Sequence, residues 1–213
     1  MLTGIKAIGF DVDGTLYHSG EELQILVGKK LITDAAKLLG RGFDDIEEEY
    51  LKRREKYRSN TKTLDSFGLP GREIFHQLWE GIDLEKYIKR DLRLVAMLER
   101  LRAKHALFII SNGRGIEIEK KLKLLGVNRG WFKPLVACYD HNWLKPEPAP
   151  FLFALEKLGL QAEETVYVGD REDLDVEGAR AVQMRTILIG AKSQRADWTS
   201  ETVYDIEQLL NSA

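Results

Sequence analysis

The chain has 213 residues, 44% of them hydrophobic and 31% charged, with a formal net charge of −2. That length can bury a sizeable core, and the near balance of charge argues against nucleic acid or an anionic membrane as partner, since both require a basic face. No apolar run approaches membrane-span length, no secretory leader pattern opens the chain, and the lone Cys138 excludes an internal disulfide, so a cytoplasmic location is expected.

Residues 5–10 read as a buried strand that ends directly in Asp11-Val12-Asp13-Gly14-Thr15. Two carboxylates and a glycine turn at a strand end put a nucleophile, a proton carrier and a metal ligand in one short loop. From about residue 20 to residue 90 no convincing strand occurs. Residues 25–39, 46–57 and 74–79 are amphipathic at helical spacing, interrupted at Gly40-Arg41-Gly42 and Gly68-Leu69-Pro70-Gly71. This stretch is expected to be an all-α cap inserted after the first strand. Its basic clusters, Lys52-Arg53-Arg54 and residues 86–90, read as solvated helix faces. A helix over 92–101 then returns the chain to the core.

A second strand, 106–110, ends in Ser111-Asn112-Gly113. The helix after it, 115–125, carries Ile116, Ile118, Leu122 and Leu125 and stops at Gly126, a C-cap. A third strand, 135–138, takes in Cys138 as a small core hydrophobe and precedes Lys145-Pro146-Glu147-Pro148. The next helix, 151–158, presents Leu152, Phe153, Leu155 and Leu158 and ends at Gly159. A fourth strand, 165–168, leads into Gly169-Asp170 with Asp175 downstream, and a fifth spans 184–189. Strand alternating with helix predicts an α/β fold, a Rossmann-like doubly wound parallel sheet whose ligands bind beyond the carboxyl ends of the strands. The expected division is a catalytic core of residues 1–17 and 91–213 and a cap of residues 18–90.

The four fragments at strand ends suit phosphoryl transfer. Asp11 is placed to attack a phosphate monoester, splitting hydrolysis into two steps through an aspartyl-phosphate. Asp13 would protonate the leaving oxygen and then deprotonate water. Two carboxylates facing a phosphate dianion require cations: Mg2+ on Asp11, Asp170 and a backbone carbonyl at Asp13, and the ammonium of Lys145. The Ser111 hydroxyl and the N–H groups of Asn112 and Gly113, with Lys145, would hold the phosphoryl oxygens. Asp175 reads as a carboxylate that holds Lys145 or a metal-bound water, or as a helix N-terminal charge. The four histidines, His18, His76, His105 and His141, make no metal-ligand spacing, and the tryptophans read as packing, with Trp143 near enough to Lys145 to line the site.

In this order the fragments resemble the haloacid dehalogenase superfamily: Asp11-Val12-Asp13-Gly14-Thr15 its first motif, Ser111 its second, Lys145 its third, Gly169-Asp170 with Asp175 its fourth. The resemblance implies a Rossmann-like core, a Mg2+ requirement, Asp11 as nucleophile and Asp13 as acid and base. The insertion resembles that superfamily's helical type-one cap. An acid at Asp13 implies phosphate chemistry rather than dehalogenation, while Arg171 stands where many relatives carry a small residue. The expected activity is hydrolysis of a small phosphorylated metabolite such as a nucleotide, phosphoglycolate or sugar phosphate, by a monomer or homodimer. The alternatives are a phosphomutase and a non-catalytic binding protein that keeps the fold.

Overall fold

The computed structural model describes residues 2–211. The chain divides into two compact units, Met1–His18 with Ile88–Ala213, and Ser19–Tyr87.

In the first unit the apolar runs become strands β1 (Ala7–Phe10), β2 (Ala106–Ser111), β3 (Phe132–Ala137), β4 (Thr165–Gly169) and β5 (Arg185–Ile189), followed by a short β6 (Trp198–Ser200). Among the described residues they form one six-stranded sheet in the order β3-β2-β1-β4-β5-β6, every pair parallel. All four residues of β1 and all five of β4 are buried, as strands covered on both faces must be. Register sets the site: Phe10 lies opposite Ile109 on one side and Val168 on the other, so Asp11, Ser111 and Asp170 leave three adjacent strands at one edge. The order reverses at β1, the switch point where such sheets bind ligands.

The helices packed on this sheet include α5 (Leu92–Arg102), α6 (Gly115–Leu125), α7 (Pro148–Leu158), α8 (Glu177–Ala181) and α9 (Ile206–Asn211), numbered after the four helices of the second unit. The Asp91 side chain caps α5 by accepting from the Leu94 N–H at 2.8 Å. Gly126 and Gly159 close α6 and α7 at φ 79° and 64°, conformations that suit glycine. The buried faces differ in part from expectation. On α6 Ile116 is 73% exposed and the inward stripe is Ile118, Lys121, Leu122 and Leu125. Ile116 lies two positions from Ile118, a spacing that turns it to another face. On α7 the buried residues are Pro150, Phe151 and Ala154, and Leu152 points outward.

Cys138 is buried as expected but lies past the end of β3, opening a tight 3₁₀ turn, Cys138–His141. The sixth strand was not foreseen. Asp197, just before it, accepts from the Thr186 N–H and hydroxyl of β5, both at 2.9 Å, and so aligns the edge.

The second unit is helical: α1 (Gly20–Leu39), α2 (Phe43–Tyr57), α3 (Asn60–Asp65) and α4 (Gly71–Glu80). Leu23, Val27, Leu31 and Ala35 of α1, Ile46 and Tyr50 of α2, and Ile74 and Leu78 of α4 form its buried faces. The short α3 has one large apolar residue, Leu64, and starts where the Ser59 hydroxyl accepts from the Lys62 N–H. The basic cluster on α2 is solvated only at Lys52. Arg53 lies 3.9 Å from the Phe67 ring centroid and pairs with Glu49, and Arg54 donates to Asn60 at 2.8 Å. No helix among the described residues is long and apolar enough to cross a membrane.

Candidate active site

Asp11 continues the β1 ladder, its N–H donating to the Val168 carbonyl at 2.9 Å, and its side chain is 10% exposed. Burial, with the carboxylates of Asp175, Asp170 and Asp13, pushes its pKa from the ordinary 3.8 up to about 7, against the opposing pull of Lys145. The loop then folds tightly. Gly14 has φ 84°, and a Cβ there would stand 2.3 Å from Asp170 Oδ2, so the glycine is required both by backbone conformation and by the carboxylate resting on it.

Lys145 is 2% exposed and reaches three oxygens: Asp11 Oδ1 at 2.9 Å, Asp175 Oδ1 at 2.6 Å and the Tyr167 hydroxyl at 3.2 Å. Burial works against its charge, but Asp11 and Asp175 outweigh it and raise its pKa well above the usual lysine value. Tyr167 in turn donates to the Ile110 carbonyl at 2.5 Å. The Lys145 N–H donates to Asn112 Oδ1 at 2.8 Å, so the Asn112 side chain ties the loop after β2 to the lysine loop. Ser111 ends β2, 2% exposed, with the Gly113 N–H donating to its hydroxyl at 3.5 Å.

Asp175 sits in a single wide π-type turn, Glu172–Val176, and is 1% exposed. Its Oδ1 takes Lys145 and its Oδ2 accepts from the Arg171 N–H at 3.0 Å. Of the roles open to it in the sequence, it is the carboxylate that holds the lysine. Arg171 makes a two-pronged pair with Asp173, at 3.0 and 2.8 Å.

One oxygen each from Asp11, Asp170 and Asp175 lie within 4.8 Å of one another. Burial and the Asp175 charge push the Asp170 pKa up to about 6, and its buried Oδ1 has no hydrogen-bond partner. Three hard oxygens with one orphaned carboxylate oxygen fit a divalent cation such as Mg2+. The Asp13 carboxylate is not in this cluster. Lys121 Nζ donates to both its oxygens, at 2.7 and 2.8 Å, and the Tyr17 hydroxyl donates to Oδ1. Desolvation opposes its ionisation, but the charge and hydrogen bonds of Lys121, with that of Tyr17, prevail and hold its pKa below the usual carboxylate range.

The sequence fragments therefore converge, and three residues join them unforeseen: Lys121, Tyr17 and Tyr167. The signal for Lys121 was its place on α6, three residues after Ile118 and four before Leu125, a charge inside an apolar stripe. Trp143 stacks on His141 with centroids 4.5 Å apart and packs against Phe153, and His105 Nδ1 lies 2.9 Å from the Ile5 carbonyl oxygen.

Comparison with known proteins gives a consistent picture. Residues 5–183 match the family model for haloacid dehalogenase-like hydrolases. The chain is 28% identical to a glyceraldehyde 3-phosphate phosphatase of Methanocaldococcus jannaschii, over 97% of this chain and 96% of that protein. It is 26% identical to a phosphoglycolate phosphatase of Aquifex aeolicus, over 98% of each. The crystal structure of a phosphatase of this superfamily from Thermococcus onnurineus superposes with a TM-score of 0.71 at 28% identity, covering 97% of this chain and 98% of that one.

Proposed function

The chain belongs to the haloacid dehalogenase-like hydrolases and is a phosphatase of that family; from this premise we propose that it hydrolyses a small phosphate monoester through an aspartyl-phosphate on Asp11. The observation that carries the reading is the buried contact of Lys145 with Asp11, at 2.9 Å, beside Asp170 at the end of the neighbouring strand. The relatives' names favour a short phosphorylated carbon compound as substrate. The helical unit Ser19–Tyr87 is inserted between β1 and α5, and its role in this reading is that of a type-one cap that selects the substrate.

Asp11 is the nucleophile. Its carboxylate oxygen forms a bond to phosphorus as the bond to the leaving oxygen breaks, and Asp13 gives that oxygen its proton. Water then attacks the phosphorus, Asp13 takes the proton, and phosphate leaves with the Asp11 carboxylate restored. Lys145 favours the ionised form of Asp11 against the effect of burial and, with the Ser111 hydroxyl and the N–H groups of Asn112 and Gly113, stabilises charge on the phosphoryl oxygens. Asp11, Asp170 and the Asp13 carbonyl would hold Mg2+, with Asp175 close by. Bound there, the ion supplies positive charge against the phosphoryl group and the nucleophile.

Phosphate release from a panel of phosphorylated metabolites, with Mg2+ and with chelator, tests this reading, with Asp11→Asn as control. Mg2+-dependent release abolished in the variant is expected. Equal release by the variant removes Asp11 as nucleophile, and release that persists in chelator removes the metal.

A further inference from the structure

A buried lysine is an unusual occupant of a helix core stripe, and Lys121 is 2% exposed. Its stem runs with Ile118, Leu122 and Leu125 on the inward face of α6, and its ammonium emerges beneath the loop after β1. There it spans both oxygens of Asp13, whose side chain stays 42% exposed. Tyr17, four residues further on, donates to Oδ1 only, and the Asp13↔Tyr17 bridge closes the loop on itself. Oδ1 thus accepts from two donors and Oδ2 from one, which leaves the open acceptor capacity of this carboxylate on Oδ2.

An aspartate has two side-chain torsions, and a part-exposed one turns freely unless something fixes it. Nothing in the strand itself fixes Asp13, because β1 ends at Phe10. A single ammonium bonded to both oxygens, at 2.7 and 2.8 Å, with one further donor on Oδ1, fixes both torsions while the side chain stays 42% exposed.

We infer that Lys121 is a positioning residue: it anchors the Asp13 carboxylate in one rotamer and leaves Oδ2 as its less-occupied oxygen toward the substrate. The inference rests on the phosphatase reading for what Asp13 does, and on geometry alone for what Lys121 does to it. It separates the two carboxylates by support. Asp11 is held by Lys145 from the loop after β3, Asp13 by Lys121 from α6, so each has its own buried cation.

The test is Lys121→Met in the full chain, assayed with Mg2+ on an alkyl phosphate and on 4-nitrophenyl phosphate. The alkyl leaving oxygen requires a proton and the nitrophenolate does not. Expected is a fall in kcat of about 10- to 100-fold on the alkyl ester against no more than about threefold on the aryl ester, a partial loss of the roughly 10²- to 10⁴-fold that general-acid catalysis supplies. Asp13→Asn should show the same preference, and adding Lys121→Met to it should cost nothing more. Lys121→Gln, which keeps one donor, should fall between and serves if Met at this position fails to fold. Equal losses on both esters, or additive losses in the double variant, overturn the inference. A crystal structure of the Lys121 variant decides independently of turnover: Asp13 should leave its present rotamer, and an unmoved carboxylate refutes the anchor. That arm holds even if the wild type releases no phosphate, a result that would sink only the phosphatase reading.

Discussion

Replacing Asp11, the proposed nucleophile, should make the metal-free protein more stable. Asp11 is buried among three other carboxylates, and its pKa in the folded chain is about 7 against an ordinary 3.8. A carboxylate whose folded pKa is raised binds its proton more tightly when folded, so the contribution of Asp11 to stability is most favourable below about pH 4 and falls as pH climbs towards 7. At about 1.4 kcal/mol per pH unit, the rise is worth on the order of 4 kcal/mol above pH 7. Asp11→Asn removes that ionisation while keeping the side chain's shape and an oxygen for Lys145. The variant should match the wild type at pH 4 and exceed it by several kcal/mol at pH 8, in urea denaturation with chelator present. A difference that does not vary with pH, or a variant less stable than wild type at pH 8, would refute the reasoning. Adding Mg2+ should narrow the gap, because a cation bound to the native cluster stabilises the wild type by mass action.

Two further substitutions probe the supports. Gly14→Ala introduces a Cβ 2.3 Å from Asp170 Oδ2 on a backbone at φ 84°, so it should displace that carboxylate and shift the Mg2+ titration of activity to higher concentration; an unchanged titration would mean Asp170 is not a ligand. Tyr167→Phe removes the hydroxyl between Lys145 and the Ile110 carbonyl, and should cost about 1–3 kcal/mol by thermal or urea denaturation, the range for a buried hydrogen bond left half-made.

Much of the site was legible because its fragments sit where β1, β2 and β4 stop, and a strand's end shows in sequence as an apolar run meeting a polar or glycine residue. The helix stops at Gly126 and Gly159 were readable for the same local reason. What escaped was whatever depended on a distant partner. β6 is three residues, Trp-Thr-Ser, with no apolar run, and exists because β5 offers an edge and Asp197 fastens it. Only Leu64 gives α3 a hydrophobic signal. Lys121 falls within the apolar stripe of α6, but its partner is a carboxylate 108 positions earlier, which no local pattern records. Ile116 and Leu152 fit a helical apolar pattern in sequence yet face outward, because Ile118, Leu122 and Leu125 on one helix and Phe151 and Ala154 on the other fill the buried face.

The central place of β1 also orders assembly in time. Ala7 pairs with Ala106 on one side and with Thr165 on the other, so the strand that leads into Asp11 completes its ladders only after long stretches of chain have been brought back to it. Closing such loops is entropically expensive before the contacts form, which places the pairing late in folding. The helices of Ser19–Tyr87 pack against sequence neighbours and carry no such burden. A nascent chain halted before Thr165 would therefore hold Asp11 and Asp13 without the strand that brings Asp170 beside them, and the Asp11 carboxylate gains its surroundings only when β4 docks.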